Sequence, residues 1–140
     1  MGIQSEAFLV YGIDLADSVP ARFNPDEDDG EVDFAKVVCE AAGLVQPPYN
    51  TPEYSAYYTQ RLALLESCPA DFCLYGLDFD MRYVVFVRGY GIRADNCGAM
   101  RVNPADLAIP QDKLEAFYAF CREFGIDQGN ASWMLVTHRS

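Results

Sequence analysis

Carboxylates supply the densest group of potentially reactive side chains in this 140-residue chain. The group consists of Asp26, Glu27, Asp28, Asp29, Glu31 and Asp33. An EF-hand calcium loop needs oxygen ligands at positions one, three and five, glycine at six and glutamate at twelve. Neither alignment of this segment satisfies the motif. If Gly30 stands at position six, Pro25 falls at position one, and if Asp26 stands at position one, Val37 falls at position twelve. Like charges repel, so we interpret residues 24–33 as a solvated acidic loop whose field attracts a basic partner.

Cysteine and histidine spacing gives neither a metal nor a redox signature. A zinc site needs two close ligand pairs, whereas Cys68 and Cys73 lie five apart, and neither Cys97 nor His138 completes a second pair. We therefore expect no metal and no cofactor, and we interpret most of the five cysteines as reduced, buried thiols. A Cys–His nucleophile whose partners meet only in the fold stays open as an alternative.

Two further patterns imitate functional motifs. Asp78 and Asp80 have the spacing of a carboxylate pair on one side of a strand, but aspartates are common at hairpin turns for backbone reasons. Residues 88–91, Arg-Gly-Tyr-Gly, match the opening of an RNA-recognition consensus. Residues 92–95 lack the aromatic positions that stack bases. We assign no catalytic residue and no direct nucleic-acid site.

Four tyrosines beside the acidic loop form a second candidate feature: Tyr49, Tyr54, Tyr57 and Tyr58. Tyrosine combines a large contact area with a polar tip and is enriched at binding hot spots. Their near-helical spacing also fits a helix that buries part of the set. We predict that these tyrosines and the six acids form a partner-binding surface.

The charge distribution limits the class of partner. The net charge is -11, and residues 1–60 carry eleven acids and two bases. Binding to nucleic acid or anionic membrane draws on clustered Lys and Arg, which argues against both and permits a basic protein partner. Residues 1–20 lack a signal-peptide pattern, and no apolar run is long enough for a membrane span. We expect a cytoplasmic location.

Seven segments carry the patterns that would position these residues. Aromatic and β-branched runs predict strands at residues 7–15, 72–79, 83–87 and 132–137, with residues 80–82 as a tight connection. Helical spacing predicts helices from residue 32 or 33 to 42, from Pro52 behind a Thr51 N-cap to about 65, and at 110–124. Residues 62–66 fit a strand equally well. The pattern indicates one α+β domain over residues 1–140, a mainly antiparallel sheet of four or five strands with two or three helices on one face.

The layout resembles that of small accessory proteins of tailed bacteriophages. The resemblance lies in an opening strand ending in Tyr-Gly-Ile, an aromatic strand at 72–79, the Arg-Gly-Tyr element at 88–90 and a Trp-containing strand at 131–136. It implies a phage-encoded protein that acts in the host cytoplasm by binding and inhibiting a host factor. The acidic insertion between Pro25 and Asp33 departs from this pattern.

The sequence favours a non-enzymatic interaction protein that engages a basic partner, such as a nucleic-acid-handling or defence protein whose phosphate contacts it imitates. Two alternatives stay open. One is a small enzyme whose cleft unites Cys, Asp or His groups, which would show convergent groups of perturbed ionisation in a concave pocket. The other is a homodimeric structural protein.

Overall fold

The computed structural model describes residues 5–16, 19–20, 22–23, 34–77, 80–94 and 99–139. These residues contain three α-helices and a five-stranded antiparallel sheet, which confirms the predicted α+β class. The chain divides into two compact units. One is Pro20–Cys68, and the other combines Met1–Val19 with Pro69–Ser140. Organisation as one domain stays a prediction.

The sheet belongs to the unit that combines both ends of the chain. Its strands are β1 (Ser5–Ala16), β2 (Ala70–Leu77), β3 (Asp80–Val87), β4 (Ile92–Ala94) and β5 (Ser132–Arg139). Gly12 pairs with both Phe86 and Ser132, so β3 and β5 flank β1 on opposite edges. Leu9 pairs with Ile92 and Leu135, so β4 lies on the same edge as β3. β2 pairs with β3 from the outside. β1 is therefore the central strand.

The hairpin forms as predicted, but its register differs from the expected one. Leu77 pairs with Asp80, so residues 80–82 belong to β3 rather than to the predicted tight connection, and residues 78–79 lie outside the described residues. Residues Asp80–Val87 pair with the whole of β2, so β3 begins before residue 83, where the sequence pattern placed its start. After β3, Gly89 takes a φ of 85°, which a glycine adopts without the penalty of a Cβ atom. The chain then continues as β4.

The sheet curls until its outer strands meet. Cα atoms of β2 and β5 come within 8 Å of each other. Side chains alternate between faces along a strand, and Val10, Val84 and Val136 form a buried cluster on one face. Phe8, Cys73, Tyr75, Phe86 and Met134 pack around it. We call this side of the sheet the inner face.

The helix α3 (Gln111–Glu123) packs on the opposite face. It contacts β3, and the hydroxyl groups of Tyr118 and Tyr11 are 2.7 Å apart, which fixes the helix over β1. This hydrogen bond, with burial as the next cause, raises the pKa of Tyr118 to about 12. Phe117 is fully buried on the same helix. The helix ends as predicted before Gly125, whose φ is 74°.

The unit Pro20–Cys68 contains two helices that contact each other, α1 (Phe34–Ala41) and α2 (Glu53–Ser67). The rings of Phe23 and Phe34 stack at 5.5 Å, which ties the chain before α1 to the helix. Residues 62–66 are helical, so the strand alternative was wrong. The hydroxyl of Thr51 donates to the Pro48 carbonyl at 2.8 Å and does not cap α2.

Candidate functional site

The acidic half of the predicted partner-binding surface lies outside the described residues. This applies to Asp26, Glu27, Asp28, Asp29, Glu31 and Asp33, and to the predicted start of α1 at residue 32 or 33. The negative charge of this segment is known from the sequence. Residues 20–68 carry nine acids and three bases, so this unit has an acidic field wherever the run lies.

The four tyrosines divide between surface and interior. Tyr49 is 75% exposed, Tyr58 is 50% exposed, and Tyr54 is half-buried. Tyr57 is only 6% exposed, so it supports the surface rather than contributing to it. The ring of Tyr54 meets that of Tyr49 edge-on at 5.3 Å and that of Tyr57 at 6.0 Å. The buried Tyr57 ring therefore contacts Tyr54, and Tyr54 in turn contacts Tyr49.

Helix α2 exposes an unusual amount of apolar surface. Among its fifteen residues only Tyr57 is buried. Leu62 follows Tyr58 by one helical turn and is 47% exposed, and residues four apart lie side by side on a helix. We call Tyr49, Tyr54, Tyr58 and Leu62 the tyrosine surface. Glu53 and Glu66, both exposed, lie at the two ends of the same helix.

The inner face of the sheet contains a cavity of about 420 Å³. Val84, Met134 and Val136, whose side chains share the inner face, form its apolar wall. Asp14 and Tyr75 supply its polar side chains, and the Tyr75 hydroxyl donates to Oδ1 of Asp14 at 2.6 Å. Leu135 and Thr137 also border the cavity, but alternation along β5 directs their side chains to the opposite face. Sequence reasoning missed this site, because Asp14 and Tyr75 are 61 residues apart and no local pattern connects them.

Arginines near the RNA-like motif are paired with acids inside the sheet unit. Arg88 lies 3.5 Å from Asp71, and Arg93 lies 2.9 Å from Glu6. The guanidinium of Arg93 also lies 4.7 Å from the centre of the Phe8 ring. In both pairs an acid within the same unit balances the arginine charge, which argues against a phosphate-binding role for Arg88 and Arg93.

The enzyme alternative would need an activated nucleophile or a set of convergent titratable groups. Asp78 and the side chains of Asp80 and His138 lie outside the described parts of the chain. Cys39, Cys68, Cys73 and Cys121 are free thiols. Burial, reinforced by Asp71, raises the pKa of Cys73 to about 11, and burial raises that of Cys121 to about 11. A raised pKa keeps a thiol protonated and so disfavours nucleophilic attack.

Alkylation with iodoacetamide, read by mass spectrometry at each cysteine, tests this point. At pH 8 a thiol of pKa about 11 is ionised in roughly one molecule in a thousand. We expect native Cys73 and Cys121 to react at least about 100-fold more slowly than in urea-unfolded protein. The native rate should rise up to about pH 11. Fast labelling of native Cys73 at pH 8 would favour the enzyme alternative instead.

The described portions of the chain hold no group of three His, Cys, Asp or Glu side chains arranged to bind a metal ion. Of the helices that the structure describes, none combines the length and apolar character needed to cross a membrane. Comparison of the chain with protein-family models, with curated proteins and with solved structures found no match.

Proposed function

We propose that this protein is a non-enzymatic interaction protein that uses the tyrosine surface and the acidic run to engage a basic partner protein. The observation that carries the proposal is the exposure of Tyr49, Tyr58 and Leu62 on one acidic unit. Aromatic side chains of this kind bury large areas in complexes, whereas leaving them in water gives no stability to the free protein.

The two parts of the surface would contribute differently to binding. Tyr58 and Leu62, side by side on α2, offer an apolar centre that a partner can cover. The acids act at longer range, since the summed field of a net charge of -11 draws in a positive surface before contact. The apolar centre should therefore set the dissociation rate, and the acidic run the association rate.

The resemblance to bacteriophage accessory proteins extends the proposal to the type of partner. A host protein that handles nucleic acid presents a basic surface for phosphate. An acidic protein can occupy that surface by imitating phosphate charge. On this proposal the protein is a phage-encoded inhibitor of a host nucleic-acid-handling or defence factor, and it acts in the host cytoplasm.

The test compares three variants against wild type, first by pull-down from host extract and then by surface binding to the purified captured protein. Tyr58→Ala with Leu62→Ala removes the apolar centre, and we expect about 30-fold weaker binding, mostly through faster dissociation. Replacing the six acids by Asn or Gln should slow association and reduce its salt dependence, while leaving the melting temperature unchanged or slightly higher.

The matched control is Ala56→Ser with Gln60→Ala, two exposed positions one turn apart on the opposite side of α2. It should bind like wild type. If the control and the Tyr58/Leu62 variant bind equally, the tyrosine surface is not the interface. Sedimentation of the free protein addresses the homodimer alternative. If the free protein is a dimer and the Tyr58/Leu62 variant is a monomer, the tyrosine surface binds a second copy of this chain rather than a basic partner.

A further inference from the structure

The inner-face cavity has the size and lining of a small-molecule site. Its volume of about 420 Å³ falls within the roughly 300–1,000 Å³ typical of ligand pockets. Such pockets combine mostly apolar walls with a few placed polar groups. Here the wall comes mainly from β5 and β3, and the polar groups Asp14 and Tyr75 come from β1 and β2. Four strands therefore contribute to one site.

The cavity is held open by the backbone of the sheet. Val84 and Val136 are buried in the cluster that forms its base, and both lie in strands paired with β1. Tyr75 reaches from β2 to Asp14 on β1, and the 2.6 Å hydrogen bond between them fixes both side chains. A ligand would meet a largely formed site, which lowers the entropy that binding must overcome.

The polar end of the cavity is suited to a hydrogen-bond donor. The hydroxyl proton of Tyr75 is already given to Asp14. Burial, followed by the hydrogen bond to Asp14, raises the pKa of Tyr75, so the phenol keeps that proton at neutral pH. Arg82 also interacts with Tyr75 from the neighbouring strand. A carboxylate accepts about four hydrogen bonds, so Asp14 can accept more than one donor.

We propose that this cavity binds a small alkylamine, with its aliphatic chain against Val84, Met134 and Val136 and its ammonium group at the Asp14 carboxylate. The aliphatic chain gains by leaving water, and the ammonium group forms a charge-assisted hydrogen bond. The field of a protein with a net charge of -11 further favours a cation over an anion. The inference is independent of the tyrosine surface.

Three probes of equal chain length test the choice of end group: hexylamine, hexan-1-ol and hexanoate. Binding is measured at neutral pH by titration with NMR detection of the backbone amides. We expect hexylamine to bind about tenfold more tightly than hexan-1-ol, because charge-assisted hydrogen bonds are about twice as strong as neutral ones. Hexanoate should bind weakest. Shifts should concentrate at Asp14, Tyr75 and residues 134–137.

Two variants locate the site. Asp14→Asn keeps the shape and removes the charge, and should reduce hexylamine affinity about tenfold while leaving hexan-1-ol within about twofold. Met134→Trp places a large ring at a half-buried lining position on the inner face and should weaken all three probes at least tenfold. The control Asp112→Asn changes an exposed aspartate on α3 and should change nothing.

Equal binding of hexylamine and hexanoate to wild type would overturn the proposal. So would hexylamine binding that Asp14→Asn and Met134→Trp leave unchanged, since the amine would then associate with acids elsewhere on the protein. The amide spectrum of each variant shows whether it is folded, and either variant alone is sufficient for the test.

Discussion

Replacing Gly12 with alanine is expected to destabilise the protein by about 3 kcal/mol, a loss that lowers the melting temperature by roughly 10 °C. A Cβ atom at this position would overlap the carbonyl oxygen of Val85 and lie 2.7 Å from Cα of Phe86. Both are backbone atoms of β3, so no side-chain rotation relieves the clash. The strands must separate, and β1 is the strand that joins β3 to β5.

The direction of the stability change distinguishes a backbone clash at Gly12 from the usual effect of replacing a glycine within a strand. Glycine inside a strand normally weakens it, and alanine in its place would gain stability by reducing the freedom of the unfolded chain. A loss therefore reports the close approach of the two backbones. Gly129→Ala is the control, because its added Cβ meets only the side-chain Oδ1 of Asp127, at 3.3 Å. Thermal melts that place Gly12→Ala within about 2 °C of wild type would contradict the described pairing of β1 with β3.

Gly12 also shows what sequence patterns can and cannot predict. The aromatic and β-branched run from residue 7 to 15 predicted β1, and the apolar spacing of residues 110–124 predicted α3, because both patterns are local. The Tyr-Gly-Ile segment looked like a strand ending, but Gly12 lies where β1 pairs on both edges. The close approach of two backbones depends on strand order, which the sequence pattern does not encode.

The two candidate sites also differ in how far the sequence could predict them. The tyrosines of α2 form a local cluster, so the sequence showed them, but it could not tell that Tyr57 is buried while Tyr58 is exposed. Helix α2 lacks a clear apolar stripe, since fourteen of its fifteen residues are at least partly exposed. The cavity depends on Asp14 and Tyr75, which meet only after the sheet has curled. A site built from distant strands leaves no local signal.

The two proposed binding sites lie in different units and depend on different residues. The tyrosine surface belongs to Pro20–Cys68, and all residues that line the cavity belong to the sheet unit. Changes at Tyr58 and Leu62 should leave hexylamine binding unchanged, and Asp14→Asn should leave partner binding unchanged. Each proposal can therefore fail without the other.

Phe117→Ala should lower the free energy of unfolding by about 3–5 kcal/mol, the usual result of emptying a fully buried phenylalanine site. Phe117 is 0% exposed, and Phe120, Cys121 and Phe124 are buried close to it in sequence. The alanine variant loses the transfer free energy of the ring and leaves a cavity that paired strands cannot collapse to fill. Urea denaturation followed by circular dichroism measures the change, with Glu115→Ala, an exposed position on the same helix, expected within about 0.5 kcal/mol.

Phe117→Leu separates this packing effect from ligand binding. Leucine restores part of the buried volume, so this variant should fold with a smaller loss than alanine causes. Because α3 packs on the face opposite the cavity, folded Phe117→Leu should bind hexylamine with wild-type affinity. A stability loss below about 1 kcal/mol for Phe117→Ala would mean that α3 does not bury this ring against the sheet. Altered amine affinity in Phe117→Leu would instead show that the two faces of the sheet are coupled through β3.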